Sequence, residues 1–377
     1  MQCTYFLQSQ CTSCHLLDKS YPETLAHKEE KLKNLFPDQV DCFKPTIGLG
    51  NVEKSRSKAK FSVFMQNGEI TFGLTNAQGQ YQELEHCPLH AQGVNELLPI
   101  LKAALVKYKI IPYDIKNKKG ELKFVLITKS DENSAGEFLI RFVLRSKESL
   151  DRLRKAAAEL IELPNMIKVV TANIQPVHQA ILEGDEEIVL SPEQAIIHQF
   201  DEFQLALGAR SFFQVTPEIA KQLYGAVANS ISLDKPGSLI DLYCGVGAFS
   251  FYASRGCENV TGVEISKDAI DCARTSARLN NSHVEFHAVD VESFLLDSNK
   301  KFDAVIVNPP RRGLNAFIIN KIKQIEPDFI YYSSCNPETL ARDYSDFKDG
   351  YEIKSLQIFD MFPYTRHFET LMCLSRI

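Results

Sequence analysis

The chain has 377 residues, 44% of them hydrophobic, which is enough apolar material for two or three modest cores and predicts more than one domain. Its formal net charge of −6 at pH 7 argues against a protein that holds nucleic acid by bulk electrostatic attraction. The first ten residues lack the pattern of a signal peptide, and no run approaches the roughly 18 apolar residues of a membrane helix, so a cytoplasmic protein without membrane contact is expected.

Cysteines near the start of the chain predict a metal site. Cys3, Cys11 and Cys14 form a C-x7-C-x2-C pattern. The two-residue spacing lets two sulfurs face one metal, and three thiolates leave one corner of a tetrahedral site or cluster open. Cys87, which precedes a proline, is the best candidate for the fourth ligand, and Cys42 is another. Three histidines would suit zinc: His15, His86 and His90. The spacing leaves iron–sulfur, zinc and unrelated buried thiols open.

The next part of the chain predicts an α+β domain without repeats. Amphipathic periodicity indicates two helices, Val94–Lys107 and Leu150–Leu163. Alternation of apolar with small or polar residues indicates seven strands: Ser55–Met65, Glu69–Gly73, Gln80–Leu84, Gly120–Thr128, Glu137–Arg145, Val169–Ile174 and Glu187–Leu190. A polar turn, Ser130–Gly136, is expected to join the fourth and fifth of these strands.

Positive charge is concentrated in this domain. Residues 101–160 carry fourteen Lys and Arg against eight Asp and Glu, and the first strand places Arg56, Lys58 and Lys60 on one face. A basic face on an acidic protein is typical of selective RNA binding, and a solvated lysine-rich surface is the alternative.

The last part of the chain predicts a doubly wound parallel α/β sheet. Thr216 and Pro217 have the residue types of a helix start, and strands then alternate with helices. The first predicted strand begins at Leu239. Six more follow it: Val260–Ile265, Val284–Ala288, Phe302–Val307, Phe329–Ser333, a stretch near Ile353, and Thr370–Leu374. Such a sheet binds its ligand at the carboxyl ends of the strands. Three segments are therefore expected: a metal and RNA-binding region over 1–95, a central domain over 96–205 and a catalytic domain over 206–377.

A glycine turn after the first of these strands predicts a nucleoside site. In DLYCGVGAFS, Gly245 and Gly247 can adopt positive φ and let a ligand approach the backbone. Glu264, about twenty residues on, is placed to accept hydrogen bonds from ribose hydroxyls. Ser250 occupies the spacing of the third glycine of a dinucleotide fingerprint, which favours S-adenosylmethionine over NAD.

Three further strand ends carry candidate site residues. Asp290 can receive an adenine amino group, with an ordinary loop residue as the alternative. Two prolines fix the backbone after Asn308 and hold its side chain in the crevice. Cys335 lies at the mouth of the next helix, where backbone N–H groups are expected to depress its pKa below roughly 8.5 and activate it as a nucleophile. A small buried cysteine is the alternative.

An activated cysteine beside a methyl donor favours methylation of C5 of a pyrimidine, which is a poor nucleophile by itself. Addition of Cys335 to C6 would place electron density on C5, and a base must then remove the C5 proton. Glu369 is the candidate base, with His367 on the same side of an extended segment; an ordinary surface carboxylate is the alternative.

Five motifs in this order resemble the RNA uracil-C5 methyltransferase family over nearly the whole chain: DLYCGVGAFS, RSFFQV, NPPRRG, YSSCNPETLARD and DMFPYTRHFE. Four cysteines at the front, without a preceding RNA-binding β-barrel, resemble its RlmC branch, which methylates uridine 747 of bacterial 23S ribosomal RNA.

The resemblance implies a class I methyltransferase domain, with Cys335 as nucleophile and Glu369 as base. It implies a lining of the S-adenosylmethionine pocket by Gln214, Tyr243, Glu264, Asp290 and Asn308. It also implies a [4Fe-4S] cluster held by Cys3, Cys11, Cys14 and Cys87. Many members have Asp where Asn308 stands, and an amide cannot fill a role that needs a carboxylate. Many also have phenylalanine where Tyr243 stands, but the tyrosine ring can still pack against the donor.

Other functions remain open from the sequence. The transfer RNA branch of the family is the nearest, although it lacks the cluster cysteines. An amino methyltransferase also uses N-P-P but needs no cysteine, whereas a cytosine-C5 RNA enzyme would use one. A non-enzymatic iron–sulfur RNA-binding protein is a third class. The expected partner is 23S ribosomal RNA, with no obligate protein partner.

Overall fold

The computed structural model describes residues 1–76, 79–130, 136–164, 167–177, 183–297 and 300–377. Most of the predicted turn Ser130–Gly136 lies outside the described residues. The described residues form ten α-helices: α1 Thr4–Leu7, α2 Tyr21–Leu35, α3 Val94–Lys107, α4 Leu150–Glu162, α5 Pro217–Asp234, α6 Ala248–Ala253, α7 Lys267–Leu279, α8 Val291–Asp297, α9 Ala316–Ile325 and α10 Pro337–Phe347.

The described residues also form sixteen strands: β1 Lys58–Gln66, β2 Glu69–Thr75, β3 Tyr81–Glu83, β4 Leu122–Lys129, β5 Phe138–Leu144, β6 Ile167–Ile174, β7 Glu186–Val189, β8 Ala195–Phe200, β9 Phe203–Gly208, β10 Ser238–Leu242, β11 Asn259–Glu264, β12 Glu285–Ala288, β13 Ala304–Val307, β14 Phe329–Ser334, β15 Tyr351–Phe359 and β16 Glu369–Arg376. These strands form two seven-stranded sheets and a separate hairpin of β8 and β9. No helix among the described segments is long and apolar enough to cross a membrane.

The first compact unit contains Met1–Ser13, Asn51–Gln199 and Leu207–Ala209. Its sheet has the order β3-β2-β1-β4-β5-β6-β7, antiparallel except for the pair β5 and β6. Apolar residues of one sheet face and of α3 and α4 share a core, in which Phe61, Leu101 and Leu153 are fully buried. Because β1 pairs with β4, one sheet spans the predicted boundary between residues 95 and 96.

The second unit contains Cys14–Gly50, Phe200–Ala206 and Arg210–Ile377. Its sheet has the order β12-β11-β10-β13-β14-β16-β15, parallel from β12 to β14, with β16 antiparallel to both of its neighbours. The doubly wound sheet predicted for this part of the chain is therefore present. The carboxyl ends of β10, β11, β13 and β14 lie along one edge, where the predicted site residues follow them.

An amino-terminal helix also belongs to this second unit. The helix α2 begins with a capping box of Ser20 and Glu23, with Pro22 in its first turn. Its buried Lys28 lies 2.5 Å from Asp360, and Tyr21 donates a hydrogen bond of 2.7 Å to the other oxygen of the same carboxylate. Lys28 also donates to the carbonyl of Phe362 at 3.0 Å, so α2 fixes the loop between β15 and β16. The predicted division into three consecutive segments, 1–95, 96–205 and 206–377, did not include this link between residues 14–50 and the last part of the chain.

Candidate active site

The turn after β10 has the backbone geometry of a ligand cradle. Tyr243, Gly245 and Gly247 have φ values of 63°, 56° and 84°, in the left-handed region that favours glycine. A Cβ atom on Gly247 would lie 2.6 Å from the ring of Phe286, so a larger residue is excluded there. The turn therefore presents backbone, and few side-chain atoms, at the carboxyl end of β10, as the sequence predicted.

A buried carboxylate supports this turn from below. Asp241 is fully buried, and its Oδ2 accepts a hydrogen bond of 2.6 Å from Ser250, the residue at the missing third glycine. Burial, with a smaller contribution from the charge of Glu264, raises the pKa of Asp241 to about 7, although hydrogen bonds from Ser250 oppose the rise. Its Oδ1 is buried without a hydrogen-bond partner among the described residues. An unpaired buried oxygen is costly, so this acceptor fits a site whose ligand brings a donor.

Predicted donor-pocket residues gather around Tyr243. Burial raises the pKa of Tyr243 to about 12, with contributions from the negative charges of Asp290, Glu292 and Glu264 and an opposing one from Arg312. Oδ2 of Asp290 also accepts backbone N–H groups of α8, from Glu292 at 3.0 Å and Ser293 at 3.2 Å. Asp290 therefore caps the start of α8. This structural role supports the alternative interpretation of Asp290, as a loop residue without a ligand, alongside the predicted contact with adenine.

The remaining two predicted pocket residues also adjoin the glycine turn. The backbone N–H of Asn308 donates to the carbonyl of Leu242 at 3.4 Å, which joins the N-P-P loop to the end of β10. Gln214 is buried, and the carbonyl of Phe212, two residues earlier, lies 4.0 Å from a Cβ built on Gly245. The loop before α5 therefore lies beside the cradle.

Cys335 is half-buried just beyond β14, and one expectation about it is wrong. Burial raises the pKa of its thiol above the ordinary value, and the carboxylate of Glu369 raises it further. A hydrogen bond and positive charge from Arg311, together with the backbone N–H of Cys335, offset only part of this rise. The prediction of a lowered pKa is wrong because the loss of solvation, which raises the pKa, has a larger effect than the backbone N–H groups at the helix terminus, which lower it.

Glu369 lies close to this thiol at the start of β16. It is 2% exposed, and its Oε1 accepts a hydrogen bond of 2.6 Å from Ser333. Burial raises the pKa of Glu369 to about 7, while the Ser333 hydrogen bond and the charge of Arg311 lower it in part. A carboxylate with a pKa near neutrality suits proton abstraction. His367, expected on the same side, is instead exposed, although the charge of Arg311 acts on it as it does on Glu369.

Arg311 is the site residue that sequence reasoning missed. Its charge acts on both Cys335 and Glu369. Its backbone carbonyl accepts hydrogen bonds from Asn336 at 3.1 Å and from Thr339 at 3.4 Å, so the start of α10 holds the arginine loop in place. The signal was present in N-P-P-R-R-G, where a cation follows two rigid prolines, but its target could be seen only after folding.

The amino-terminal cysteines are not a preformed metal site. Cys3, Cys11, Cys14 and Cys87 are all half-buried. Burial raises the pKa of Cys87, and the charges of Cys3 and Cys11 raise it further, so these three thiols are neighbours in the first unit. Within the described ranges, however, no three His, Cys, Asp or Glu side chains are arranged to hold a metal ion.

The alternative ligands proposed for this metal site have other partners. Cys42 donates to the carbonyl of Ile353 at 3.1 Å in the second unit, and His15 accepts from the backbone N–H of Arg366 at 3.0 Å. His90 pairs with Asn95 at 2.9 Å, and burial lowers its pKa to about 4. The donor chemistry of the four cysteines still suits a soft metal or an iron–sulfur cluster.

The strand order, the glycine turn and the polar strand ends define a class I S-adenosylmethionine-dependent methyltransferase. The 23S rRNA (uracil(747)-C(5))-methyltransferase RlmC of Shewanella pealeana is 40% identical over 378 residues, which cover 99% of each chain. The protein of the same name from Xenorhabdus nematophila is 38% identical over 378 residues, again 99% of each chain. The chain belongs to the RlmC branch of the RNA uracil-C5 methyltransferase family.

Family models and a solved structure agree with this assignment. The models described as tRNA (Uracil-5-)-methyltransferase and Methyltransferase small domain match residues 281–377 and 225–325. The crystal structure of Pyrococcus abyssi tRNA (uracil-54, C5)-methyltransferase in complex with S-adenosyl-L-homocysteine has a TM-score of 0.78 and 25% sequence identity. That match covers 96% of this chain and 85% of the archaeal chain.

Proposed function

We propose that this protein methylates C5 of uridine 747 in 23S ribosomal RNA. Full-length similarity to proteins named for that reaction supports 23S ribosomal RNA as the substrate, in preference to transfer RNA. The same similarity favours an enzyme over a non-enzymatic iron–sulfur RNA-binding protein. The observation that carries the chemistry is the grouping of a cysteine, a buried carboxylate and an arginine at the edge of the sheet that also carries the glycine turn. A ribosomal RNA substrate also supports action in the cytoplasm.

The proposed reaction begins with the Cys335 thiolate. Its sulfur bonds to C6 of the uracil, and the electron pair of the C5=C6 bond moves toward C5 and the O4 carbonyl. Arg311 stabilises the thiolate that burial disfavours, because its guanidinium donates a hydrogen bond to the sulfur. The electron pair on C5 would then take the methyl group of bound S-adenosylmethionine, and the bond from that methyl group to sulfur would break to leave S-adenosylhomocysteine.

Glu369 completes the proposed reaction. Its carboxylate removes the proton from the methylated C5, the C5=C6 double bond re-forms and the Cys335 thiolate leaves. The cycle needs no oxidant or reductant. The carboxylate must be ionised when this step begins, and a pKa of about 7 allows it to accept a proton and release it again at neutral pH.

The proposed donor pocket consists of Gln214, Tyr243, Glu264, Asp290 and Asn308. Burial of Gln214 and the cluster of carboxylates around Tyr243 support this set. Asn308 offers an amide where many relatives have a carboxylate, so it can donate as well as accept. The unpaired Oδ1 of Asp241 is a further acceptor beneath the same turn.

The proposed function is tested on ribosomal RNA. In cells that lack this protein, uridine 747 should be unmethylated, and a plasmid copy of the gene should restore 5-methyluridine at that position. Mapping by mass spectrometry of RNA fragments gives both the position and the modified base. Normal 5-methyluridine at 747 in the deletion strain would contradict the ribosomal substrate, and loss of 5-methyluridine from transfer RNA would favour the other branch.

We also propose that Cys3, Cys11, Cys14 and Cys87 hold a [4Fe-4S] cluster that orders an RNA-binding surface. Four cysteines, three of them neighbours in the first unit, support this assignment. We expect Cys11→Ala protein, purified without air, to lose iron and sulfide and to bind RNA at least about tenfold more weakly, with little change in S-adenosylmethionine affinity.

The cysteine prediction has a matched control and a clear contrary result. Cys257→Ala removes a buried cysteine of the second unit and should keep iron, sulfide and RNA affinity. Anaerobic protein that is colourless and contains zinc by metal analysis would replace the cluster with a zinc site. Unchanged RNA affinity after loss of the metal would remove its proposed role in binding.

A further inference from the structure

The carboxylate of Glu369 is held by one neighbouring hydroxyl. Ser333 lies in β14, is 1% exposed, and donates from Oγ to Oε1 of Glu369 at 2.6 Å. Among the described residues, no side chain or backbone group donates a hydrogen bond to the second oxygen, Oε2. The two oxygens of the carboxylate are therefore distinct before any substrate binds.

The sheet register explains why these two side chains meet. Ser333 pairs with Leu371 of the antiparallel strand β16, and Glu369 lies two residues from Leu371. Alternation along a strand places Glu369 on the same face as Ser333, as a diagonal neighbour. Cys335 follows Ser333 by two residues, just beyond the end of β14, so the nucleophile, the hydroxyl and the carboxylate lie at the same edge of the sheet.

We propose that Ser333 is a positioning residue, which occupies Oε1 of Glu369 so that Oε2 faces the substrate and takes the C5 proton. This inference depends on the proposed methylation, because it assigns a role in the step that releases the product. An unrestrained carboxylate could rotate and offer either oxygen in several orientations. A fixed hydrogen bond selects one orientation before the proton must be transferred.

The same hydroxyl favours the ionised form of the base. Burial is the main cause of the raised pKa of Glu369, and the Ser333 hydrogen bond opposes it. Loss of the hydroxyl should therefore raise the pKa above about 7 and leave less carboxylate at neutral pH. A shift by one unit changes the ratio of ionised to protonated carboxyl tenfold.

Several groups near Glu369 do not change protonation while the covalent intermediate releases its product. Three other side chains act on it or are acted on by it: Arg311, Cys335 and Tyr224 of α5. In the covalent intermediate the sulfur of Cys335 is bonded to carbon and cannot titrate. Arg311 stays charged, and burial raises the pKa of Tyr224 far above neutrality. Asp241 also has a pKa of about 7, but the Ser333 hydroxyl bonds to Glu369, so the difference in pH midpoint between the parent protein and Ser333→Ala reports on Glu369.

The test compares Ser333→Ala, Ser333→Cys and Ser333→Thr with the parent protein. Methyl transfer in the first turnover and decay of the covalent protein–RNA complex are measured by rapid quench between pH 6 and pH 9. We expect Ala, and Cys with its weaker donor, to transfer the first methyl group within about threefold of the parent. Their complexes should decay about tenfold more slowly at pH 7, with the difference closing as the pH rises.

Conservative rescue and a control variant exclude a general structural effect. Ser333→Thr keeps the hydroxyl and should restore decay to within about threefold of the parent. Ser355→Ala removes a buried serine of β15 that bonds to the thiol of Cys373, and should change neither step. The proposal would be overturned if the rate of decay in Ser333→Ala had the same pH midpoint as in the parent protein. It would also be overturned if the rates of methyl transfer and of decay fell by the same factor. Failure of the parent protein to form any covalent complex would overturn the proposed mechanism as well.

Discussion

Replacement of Cys335 by alanine is expected to abolish methyl transfer, by at least about four orders of magnitude, because no other group can form the bond to C6. C5 of uracil then stays a poor nucleophile, even with the methyl donor in place. The measurement is transfer of a labelled methyl group from S-adenosylmethionine to 23S ribosomal RNA. Binding of the donor should change little, because Cys335 is not among the residues around Tyr243.

A second cysteine provides the control for this substitution. Cys257 is buried and lies just before β11, at the end of the sheet opposite to the glycine turn. Cys257→Ala should retain activity within about threefold. Substantial methylation by Cys335→Ala protein would instead favour an amino methyltransferase, and analysis of the modified nucleoside would then show a product other than 5-methyluridine.

Replacement of Glu369 by glutamine is expected to trap the protein on its substrate. Glutamine nearly matches the shape of glutamate and can still accept from Ser333, but it cannot take the C5 proton. Multiple turnover should fall by about 10²–10⁴-fold, the usual contribution of a general base. The first methyl group should still be transferred, so a methylated protein–RNA complex should appear on a denaturing gel.

The pH dependence of the parent enzyme follows from the same carboxylate. Its pKa is raised to about 7, so Glu369 is protonated below that pH and cannot act as a base. Once the covalent complex has formed, release of methylated RNA from it should slow as the pH falls through 7. As a control, Glu352→Gln alters an exposed carboxylate of β15 that pairs with Lys354 and should not trap RNA. Normal turnover by Glu369→Gln would remove Glu369 from the mechanism.

Much of the catalytic half could be predicted because short-range patterns specify it. The glycines after β10 and the prolines after Asn308 each restrict the backbone in a way that sequence reveals directly. Alternation of strands and helices then places these turns at one edge of a parallel sheet. This logic located the glycine turn, Asn308 and Cys335 at neighbouring strand ends.

The rest depends on contacts between residues far apart in the chain. The insertion of β16 between β14 and β15 brings Ser333 to Glu369, and no local pattern gives that register. The direction of the Cys335 pKa was mispredicted because burial cannot be read from one motif. In contrast, the capping box at Ser20 was a readable signal for α2, but it did not reveal that Lys28 would reach Asp360.

The ion pair between Lys28 and Asp360 has a practical consequence for dissecting the molecule. Both side chains have no exposed surface. A fragment that starts near residue 206, at the boundary the motifs suggest, would lose Lys28 and Tyr21, which bond to Asp360, together with the helix α2 that carries them. The transferase part is discontinuous in the chain, so a fragment meant to fold alone should include residues 14–50 and 200–206 as well as 210–377.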